Sequence, residues 1–312
     1  MSRCFVTRKL PGGALERLAA AHDVDVWQGG QPPSRDELLA RAREADGLLS
    51  QLTERVDAAL LDACPELRAV ANYAVGFDNI DLAACTARGI PVGNTPDVLT
   101  DATADLTWAL LMAAARRLSD AERVVRAGGW GFEPDFLLGH DVHGATLGLV
   151  GMGRIGSAVA RRAAGFDVEV IHSSRSGGIP LEELLERSDF VSIHVPLTLE
   201  TRGLIGEDAL RRMKTSAILV NTARGPIVDT GALVRALNQG WIAGAALDVT
   251  DPEPLPIEHP LLLCPNLTIA PHIGSATHRA RAAMADRAVD NLLAALTGER
   301  MPYCANPEVY ER

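Results

Sequence analysis

TLGLVGMGRIGSAVARRAA, residues 146–164, is the most informative stretch of the chain for its architecture. Its first five residues are an apolar run of strand length, the glycines at 151, 153 and 156 match GxGxxG, and Ile155, Ala158 and Val159 recur at helical spacing. Alone, GxGxxG fits any tight turn. Directly after a strand and at the opening of a helix, it reads as the phosphate-binding turn of a dinucleotide fold. Gly151 permits the turn, Gly153 lets the backbone approach a pyrophosphate, and Gly156 lets helix and strand pack closely. The helix N-terminus then offers unpaired amides and positive potential to phosphate.

Outward from this turn, strand patterns continue on the C-terminal side at VEVI (168–171), FVSIHV (190–195), AILV (217–220), AGAAL (243–247) and LTIA (267–270), with helical patterns between them. Six strands alternating with helices is the count expected of a dinucleotide-binding domain. On the N-terminal side, CFVT (4–7), VDVW (24–27), GLLS (47–50), RAVA (68–71) and IPVG (90–93) alternate with SRDELLARAREA and DAALLDAC, for which Ser34 and Asp57 are candidate caps. Residues 101–127, rich in Ala and Leu and without Pro or Gly before residue 127, predict one long helix or two. A further helical pattern follows Ala276, and the short tail PYCANPEVY is expected to return to the first domain. The expected class is therefore α/β, with two doubly wound parallel sheets. A Rossmann dinucleotide-binding domain spans 98–284, and a smaller, flavodoxin-like substrate domain spans 1–97 and 285–312.

The composition is globular, 47% hydrophobic and 22% charged, and the net charge of -10 argues against a broad attraction to nucleic acid or an anionic membrane. An anionic ligand must be held by local groups. The N-terminus MSRCFVTRKL lacks an apolar signal core, and LTWALLMAAA is about half the ~20 residues of a membrane span, so a cytoplasmic location is expected. Five scattered cysteines, Cys4, Cys64, Cys85, Cys264 and Cys304, contain no CxxC pair and argue against a disulfide framework or a zinc site.

The second strand raises a question of cofactor choice. About 20 residues after a glycine motif, an NAD site needs a carboxylate for the adenosine ribose hydroxyls. Here VEVI runs into His172, Ser173, Ser174 and Arg175, and the next acid is Glu182, with Glu169 inside the strand. Serine hydroxyls and a guanidinium suit a 2′-phosphate that a carboxylate would repel. NADP(H) is the preferred cofactor on this reading and NAD(H) a possible one. The competing reading leaves Arg175 as a solvated loop residue beside Gly177 and Gly178.

Polar residues gather at the carboxyl ends of the strands, where open parallel sheets bind ligands: Pro196 after the third, Asn221 to Arg224 after the fourth, Asp248 after the fifth and His272 after the sixth. In this setting the sequence strongly resembles the D-isomer-specific 2-hydroxyacid dehydrogenases. The matching segments are NYAVGFDNID (72–81), TDATADLTWALLMAAARR (100–117), LLGHDVHGATLGLVGMGRIG (137–156), HVPLTLETRGLIG (194–206), LVNTARGPIVD (219–229), AALDVTDPEPLP (245–256) and APHIGSAT (270–277). They span nearly the whole chain, and the Ser-Arg ending of 173–175 looks most like the glyoxylate/hydroxypyruvate reductase branch.

The resemblance implies a catalytic trio of Arg224, Glu253 and His272. Chemistry calls for the same types. Reduction of a 2-keto acid needs a cation for the carboxylate and an acid to protonate the carbonyl oxygen as hydride arrives from a nicotinamide. Arg224 would grip the carboxylate, His272 would donate the proton, and Glu253 would bond the far ring nitrogen, orient it and favour its charged form. The same resemblance gives the backbone amides of Ala74, Val75 and Gly76 to the substrate carboxylate. It assigns to the cofactor Thr103, Gly151, Gly153, Arg154, Ile155, Gly156, Ser173, Ser174, Arg175, Pro196, Thr201, Thr222, Ala223, Asp248 and Gly274. Leu52 and Trp130 are candidates for the side-chain pocket. His194, at a strand end, reads as structural. A metal is not implied. The resemblance further implies a homodimer formed through the dinucleotide domain and a cleft that closes over NADPH and a small 2-keto acid, glyoxylate or hydroxypyruvate. Phosphoglycerate dehydrogenase or another D-2-hydroxyacid dehydrogenase is the nearest alternative, and a nucleotide-sensing corepressor-like binding protein lies further off.

Overall fold

Five parallel strands build the first sheet of the computed structural model, which describes residues 1–311. They are β1 (Arg3–Val6), β2 (Asp23–Val26), β3 (Gly47–Ser50), β4 (Ala69–Asn72) and β5 (Val92–Gly93), in the order β2-β1-β3-β4-β5. Between them run α1 (Ala14–Ala21), α2 (Arg35–Ala42), α3 (Ala58–Ala63) and α4 (Leu82–Ala87). β3 and β4 are buried at every position, which follows from helices covering both faces of a parallel sheet. The two expected caps form. Ser34 accepts from the Glu37 amide while the Glu37 carboxylate accepts from the Ser34 amide, and Asp57 accepts from the Leu60 amide. Each such cap contributes about 0.5–2 kcal/mol.

The second unit, Thr100–Gly274, opens with α5 (Thr100–Ala115) and α6 (Leu118–Arg126). The helical stretch is thus two helices, broken where Arg117 takes a left-handed φ of 51°. Then follow β6 (Thr146–Val150), α7 (Arg154–Ala163), β7 (Glu169–Ser174), β8 (Gly177–Gly178), α8 (Leu181–Arg187), β9 (Phe190–Ile193), α9 (Glu207–Arg212), β10 (Ile218–Asn221), α10 (Thr230–Gln239), β11 (Gly244–Leu247) and β12 (Leu267–Ile269). The sheet order is β12-β11-β10-β9-β6-β7-β8, parallel throughout except for the β7 and β8 pair. The strand order reverses at β6 and β9, which puts the topological switch point at the glycine turn.

Two details correct the expected strands. The sheet has a seventh strand, because Gly177 and Gly178 pair with Ser174 and Ser173 as a short antiparallel edge. For the same reason β7 does not stop at Ile171 but runs through Ser174, with Val150 opposite Ser173, and only Arg175 of the Ser-Ser-Arg ending lies beyond it. Two glycines read as a loop; at φ 141° and 102° they make a hairpin return.

The second unit has a core on each face of its sheet. Ile218 and Val220 join Leu147 and Leu149 with Trp108, Leu111 and Val159 of α5 and α7, whereas Leu219 joins Val191 and Ile193 with Leu184, Leu210 and Leu233 of α8 to α10. Alternate side chains of one strand go to opposite faces, and both faces are covered.

The last helix, α11 (His278–Leu296), starts at Thr277, whose side chain accepts from the Ala280 amide. It packs against α1, β3 and β4, so the first unit comprises Met1–Leu99 and the chain from Ser275 onward. The expected boundary at 284/285 falls inside this helix. Among the described residues, no helix is long and apolar enough to cross a membrane.

Candidate active site

The glycine turn joins β6 to α7, and steric demands fix two of its glycines. Gly151 has φ 101°, and a Cβ there would lie 2.8 Å from the His194 carbonyl carbon; a Cβ on Gly156 would lie 2.2 Å from the Gly151 carbonyl oxygen. A larger residue at either position displaces backbone. Gly153 differs, since a Cβ there would meet nothing within 4 Å, leaving open space at the N-cap of α7. Arg161 and Arg162 in the last turn complement the helix dipole, and the first turn starts at Arg154 and Ile155 with no side-chain cap. Open space over an uncapped helix N-terminus is what the pyrophosphate of a dinucleotide requires, so these residues fit that group.

Strand β7 supplies the neighbouring wall. The Gly151 amide donates to the Ser173 carbonyl at 2.8 Å, which ties the glycine turn to the strand carrying the serines. Ser174 is engaged within its own hairpin, donating to the Gly177 carbonyl at 2.9 Å, with its hydroxyl 3.2 Å from that of Ser176. Arg175 is exposed. The Glu200 carboxyl lies below the ordinary range through the Thr198 hydroxyl bond first, then a backbone amide, with the Arg175 charge adding to both. Glu169, at the far end of β7, lies 3.5 Å from Arg187.

At the end of β9, His194 lies beneath the glycine turn, its Nε2 2.9 Å from the Ser192 hydroxyl. It keeps some surface exposure, yet protein atoms enclose the ring and desolvation pushes it down to about 4. The imidazole is therefore neutral near pH 7, in line with a structural part. Beyond it, the Thr201 hydroxyl donates to the Pro196 carbonyl at 2.7 Å and accepts from the Thr198 amide at 2.8 Å, so the Thr201 side chain holds its own loop.

The residues after β10 are clamped by Asn221, which accepts from the Ala223 amide at 3.0 Å and donates to the Arg224 carbonyl at 2.9 Å. One terminal guanidinium nitrogen of Arg224 donates to the Ala223 carbonyl at 2.8 Å. Thr222 is buried with its hydroxyl 2.9 Å from that of Thr107, which in turn donates to the Thr103 carbonyl one helical turn earlier. Thr107 and Ser192 are buried polar partners missed in the sequence. Thr107 had one signal, its i+4 spacing from Thr103 on an otherwise apolar helix.

The ends of β11 and β12 meet in a single hydrogen-bonded assembly. Asp248, 2% exposed, accepts from the Ile273 and Gly274 amides, both at 2.7 Å, and its carbonyl accepts from the His272 amide at 2.8 Å. These bonds hold His272 at φ 55°, a left-handed conformation that is uncommon for a non-glycine residue. Burial raises the Asp248 carboxyl above the usual range, against the pull of the two amides and of His272.

His272 Nδ1 lies 2.5 Å from Glu253 Oε1, and the pair is only partly buried, with side-chain exposures of 28% and 41%. Burial favours the neutral acid at Glu253. The His272 hydrogen bond and charge, the Thr250 amide and the Arg224 charge outweigh it and keep the carboxyl below its ordinary range. Glu253 thus stays anionic, links Arg224 electrostatically to His272, and occupies Nδ1. Nε2 of His272 remains as the atom through which a proton can be exchanged with a ligand. In the first unit, Ala74, Val75 and Gly76 form a turn after β4, and Leu52 follows β3.

Comparisons with known proteins agree on the family. A family model described as D-isomer specific 2-hydroxyacid dehydrogenase, NAD binding domain, matches residues 108–274. A glyoxylate reductase of Korarchaeum cryptofilum is 51% identical over 98% of this chain and 96% of its own length. The solved TT0316 protein from Thermus thermophilus shares 50% identity with a TM-score of 0.92, covering 97% of this chain and 99% of the other. An NADPH-dependent glyoxylate/hydroxypyruvate reductase from Sinorhizobium meliloti, solved with NADP and malonate, shares 34% identity with a TM-score of 0.83 over 98% and 97% of the two chains.

Proposed function

The chain belongs to the D-isomer specific 2-hydroxyacid dehydrogenases, nicotinamide-dependent oxidoreductases, and within that family we propose that it reduces glyoxylate or hydroxypyruvate with NADPH. The observation that carries this reading is the His272–Glu253 pair, with Arg224 electrostatically coupled to it, on the strand ends of a dinucleotide-binding unit. When bound, the nicotinamide supplies hydride to the substrate carbon.

The residues of the chain do the rest. Arg224 binds the carboxylate of the keto acid and polarises its carbonyl through paired guanidinium donors. His272 gives its Nε2 proton to the carbonyl oxygen as that oxygen gains charge. Glu253 keeps Nδ1 as the donor to itself, so the ring is oriented and its cationic form is compensated. In the reverse direction His272 accepts the proton. Asp248 fixes the His272 loop and, with Thr103, Thr222, Ala223 and Gly274, borders the nicotinamide end, while Pro196 and Thr201 border the middle of the cofactor.

Preference for NADPH is supported by the absence of a carboxylate between Val170 and Pro180, by the exposed Arg175 at the β7 turn, and by the NADPH dependence of the Sinorhizobium relative. A homodimer through the second unit is supported by α6, which has no buried residue, and by Trp130 and Phe132, which are 73% and 90% exposed together with Leu118, Val125 and Leu138. An apolar surface of that extent on one segment is what an interface covers. Light scattering should return twice the chain mass.

The decisive experiment is initial rate against cofactor concentration, with NADPH and NADH in parallel and glyoxylate, hydroxypyruvate and pyruvate as substrates. A larger kcat/KM with NADPH and either of the first two is expected. Preference for NADH refutes the role given to Ser173, Ser174 and Arg175, and turnover confined to bulkier keto acids refutes the substrate assignment.

A further inference from the structure

We propose that Asn72 and Asn94 are positioning residues that pre-form an anion-binding run of amides at Ala74, Val75 and Gly76. The proposal rests on the reading that these amides receive the substrate carboxylate.

The argument begins with where the backbone groups of this turn go, because every buried donor and acceptor needs a partner. Three successive carbonyls are each taken up inside the first unit. The Ala74 carbonyl accepts from the amide of the fully buried Thr95 at 2.8 Å, the Val75 carbonyl from Asn94 Nδ2 at 2.8 Å, and the Gly76 carbonyl from Asn72 Nδ2 at 2.9 Å. The amides of the same three residues donate to no group among the described residues. A turn whose carbonyls are all bound by the protein and whose amides are all unspent is complementary to an anion, not to a cation or a neutral donor. It sits at the carboxyl end of β4, on the edge where parallel sheets bind ligands.

The two asparagines are themselves fixed. Asn72, buried at the end of β4, also donates to Asn79 Oδ1 at 3.1 Å and lies 3.3 Å from the Ser50 hydroxyl. Asn79 in turn donates to the carbonyls of Gln51 and Glu54. The Asn94 carbonyl accepts from Asn291 Nδ2 of α11 at 3.0 Å, and Asn291 Oδ1 accepts from the Tyr303 amide at 2.9 Å. A Cβ on Gly93 would lie 2.4 Å from Asn291 Nδ2, so the glycine before Asn94 is what admits that side chain. The turn is thus held from two sides, by β4 through Asn72 and by the chain after β5 through Asn94. Binding energy is not spent ordering it.

Asn94 is half-buried and offers the gentler perturbation. Asn94→Leu keeps approximate size and removes the donor, Asn94→Ser is a smaller second variant in case leucine disturbs packing, and Asn94→Gln restores an amide. The readouts are KM for glyoxylate, KM for NADPH, the inhibition constant of oxalate, and kcat/KM toward methyl glyoxylate, which lacks the carboxylate. Losing this partly buried hydrogen bond should raise the glyoxylate KM and the oxalate inhibition constant about tenfold. NADPH KM and the methyl ester reaction should stay within about twofold of wild type, within the usual scatter of a distant substitution, and Asn94→Gln should recover part of the loss. An unchanged acid-to-ester ratio in folded Asn94→Leu and Asn94→Ser overturns the proposal while leaving the enzymatic reading intact. A wild-type protein that neither turns over any 2-keto acid nor binds oxalate overturns both.

Discussion

Asp248→Asn probes the proposed chemistry most directly, because one side chain holds the loop that carries His272. Asp248 accepts from two amides at 2.7 Å, those of Ile273 and Gly274, in a setting only 2% exposed. Asparagine keeps one acceptor oxygen and turns its amide nitrogen toward the other loop amide, so two donors face each other. A hydrogen bond to a charged group is worth about 1.5–3 kcal/mol, and removing a charge that burial disfavours returns part of that. A net local loss of ~1–2 kcal/mol then competes with the ~1–2 kcal/mol that a left-handed non-glycine conformation costs at His272. The held conformation ceases to dominate. At 1.36 kcal/mol per decade, kcat should fall roughly tenfold. Thermal unfolding should fall by a few degrees, at about 2–4 °C per kcal/mol for a domain of this size. Steady-state kinetics with saturating cofactor, together with a melting curve, reads both. If kcat stays within about threefold and only the cofactor KM rises, the loop-holding role is wrong and Asp248 acts through the nicotinamide end alone.

Three further outcomes are expected. His272→Ala should abolish most turnover while NADPH still binds, as fluorescence titration would show; surviving turnover removes His272 as the acid. Arg175→Ala should weaken NADPH far more than NADH in kcat/KM, and an equal loss for both returns Arg175 to a solvated turn. Burial alone would raise the Asp189 carboxyl, but its bonds to Lys214 at 2.8 Å and to the Thr146 amide at 2.9 Å, with the charges of Lys214 and His140, hold it below the ordinary range. Its contribution is therefore present above the unfolded value, near pH 3.9, and lost as pH falls through the lower folded value. Because both partners are about one-third exposed, roughly 1 kcal/mol is at stake. Asp189→Asn should melt lower than wild type at neutral pH, and the difference should shrink below about pH 4. A difference constant down to about pH 3 refutes that linkage.

The two α/β units, the glycine turn and the residue types at the strand ends were legible in the chain before folding. Each of these is a local or periodic signal. A strand, three spaced glycines and an amphipathic helix are contiguous, so TLGLVGMGRIGSAVARRAA carries its structure within itself. Ser34 and Asp57 act as caps through bonds to residues three positions on. Features that depend on partners far along the chain emerged only on folding. Gly177 and Gly178 look like a flexible loop until β7 is there to pair with them. α11 could have belonged to either unit by periodicity alone, and its packing on α1, β3 and β4 assigned it to the first. The bond between His272 and Glu253 spans 19 residues, and the one between Asp248 and Gly274 spans 26. Asn94 reaches Val75 across 19 residues, and Asn291 reaches Asn94 across 197. Hydrogen bonds of that kind leave no periodic trace, because their geometry is set by which strand ends the folded sheet brings together.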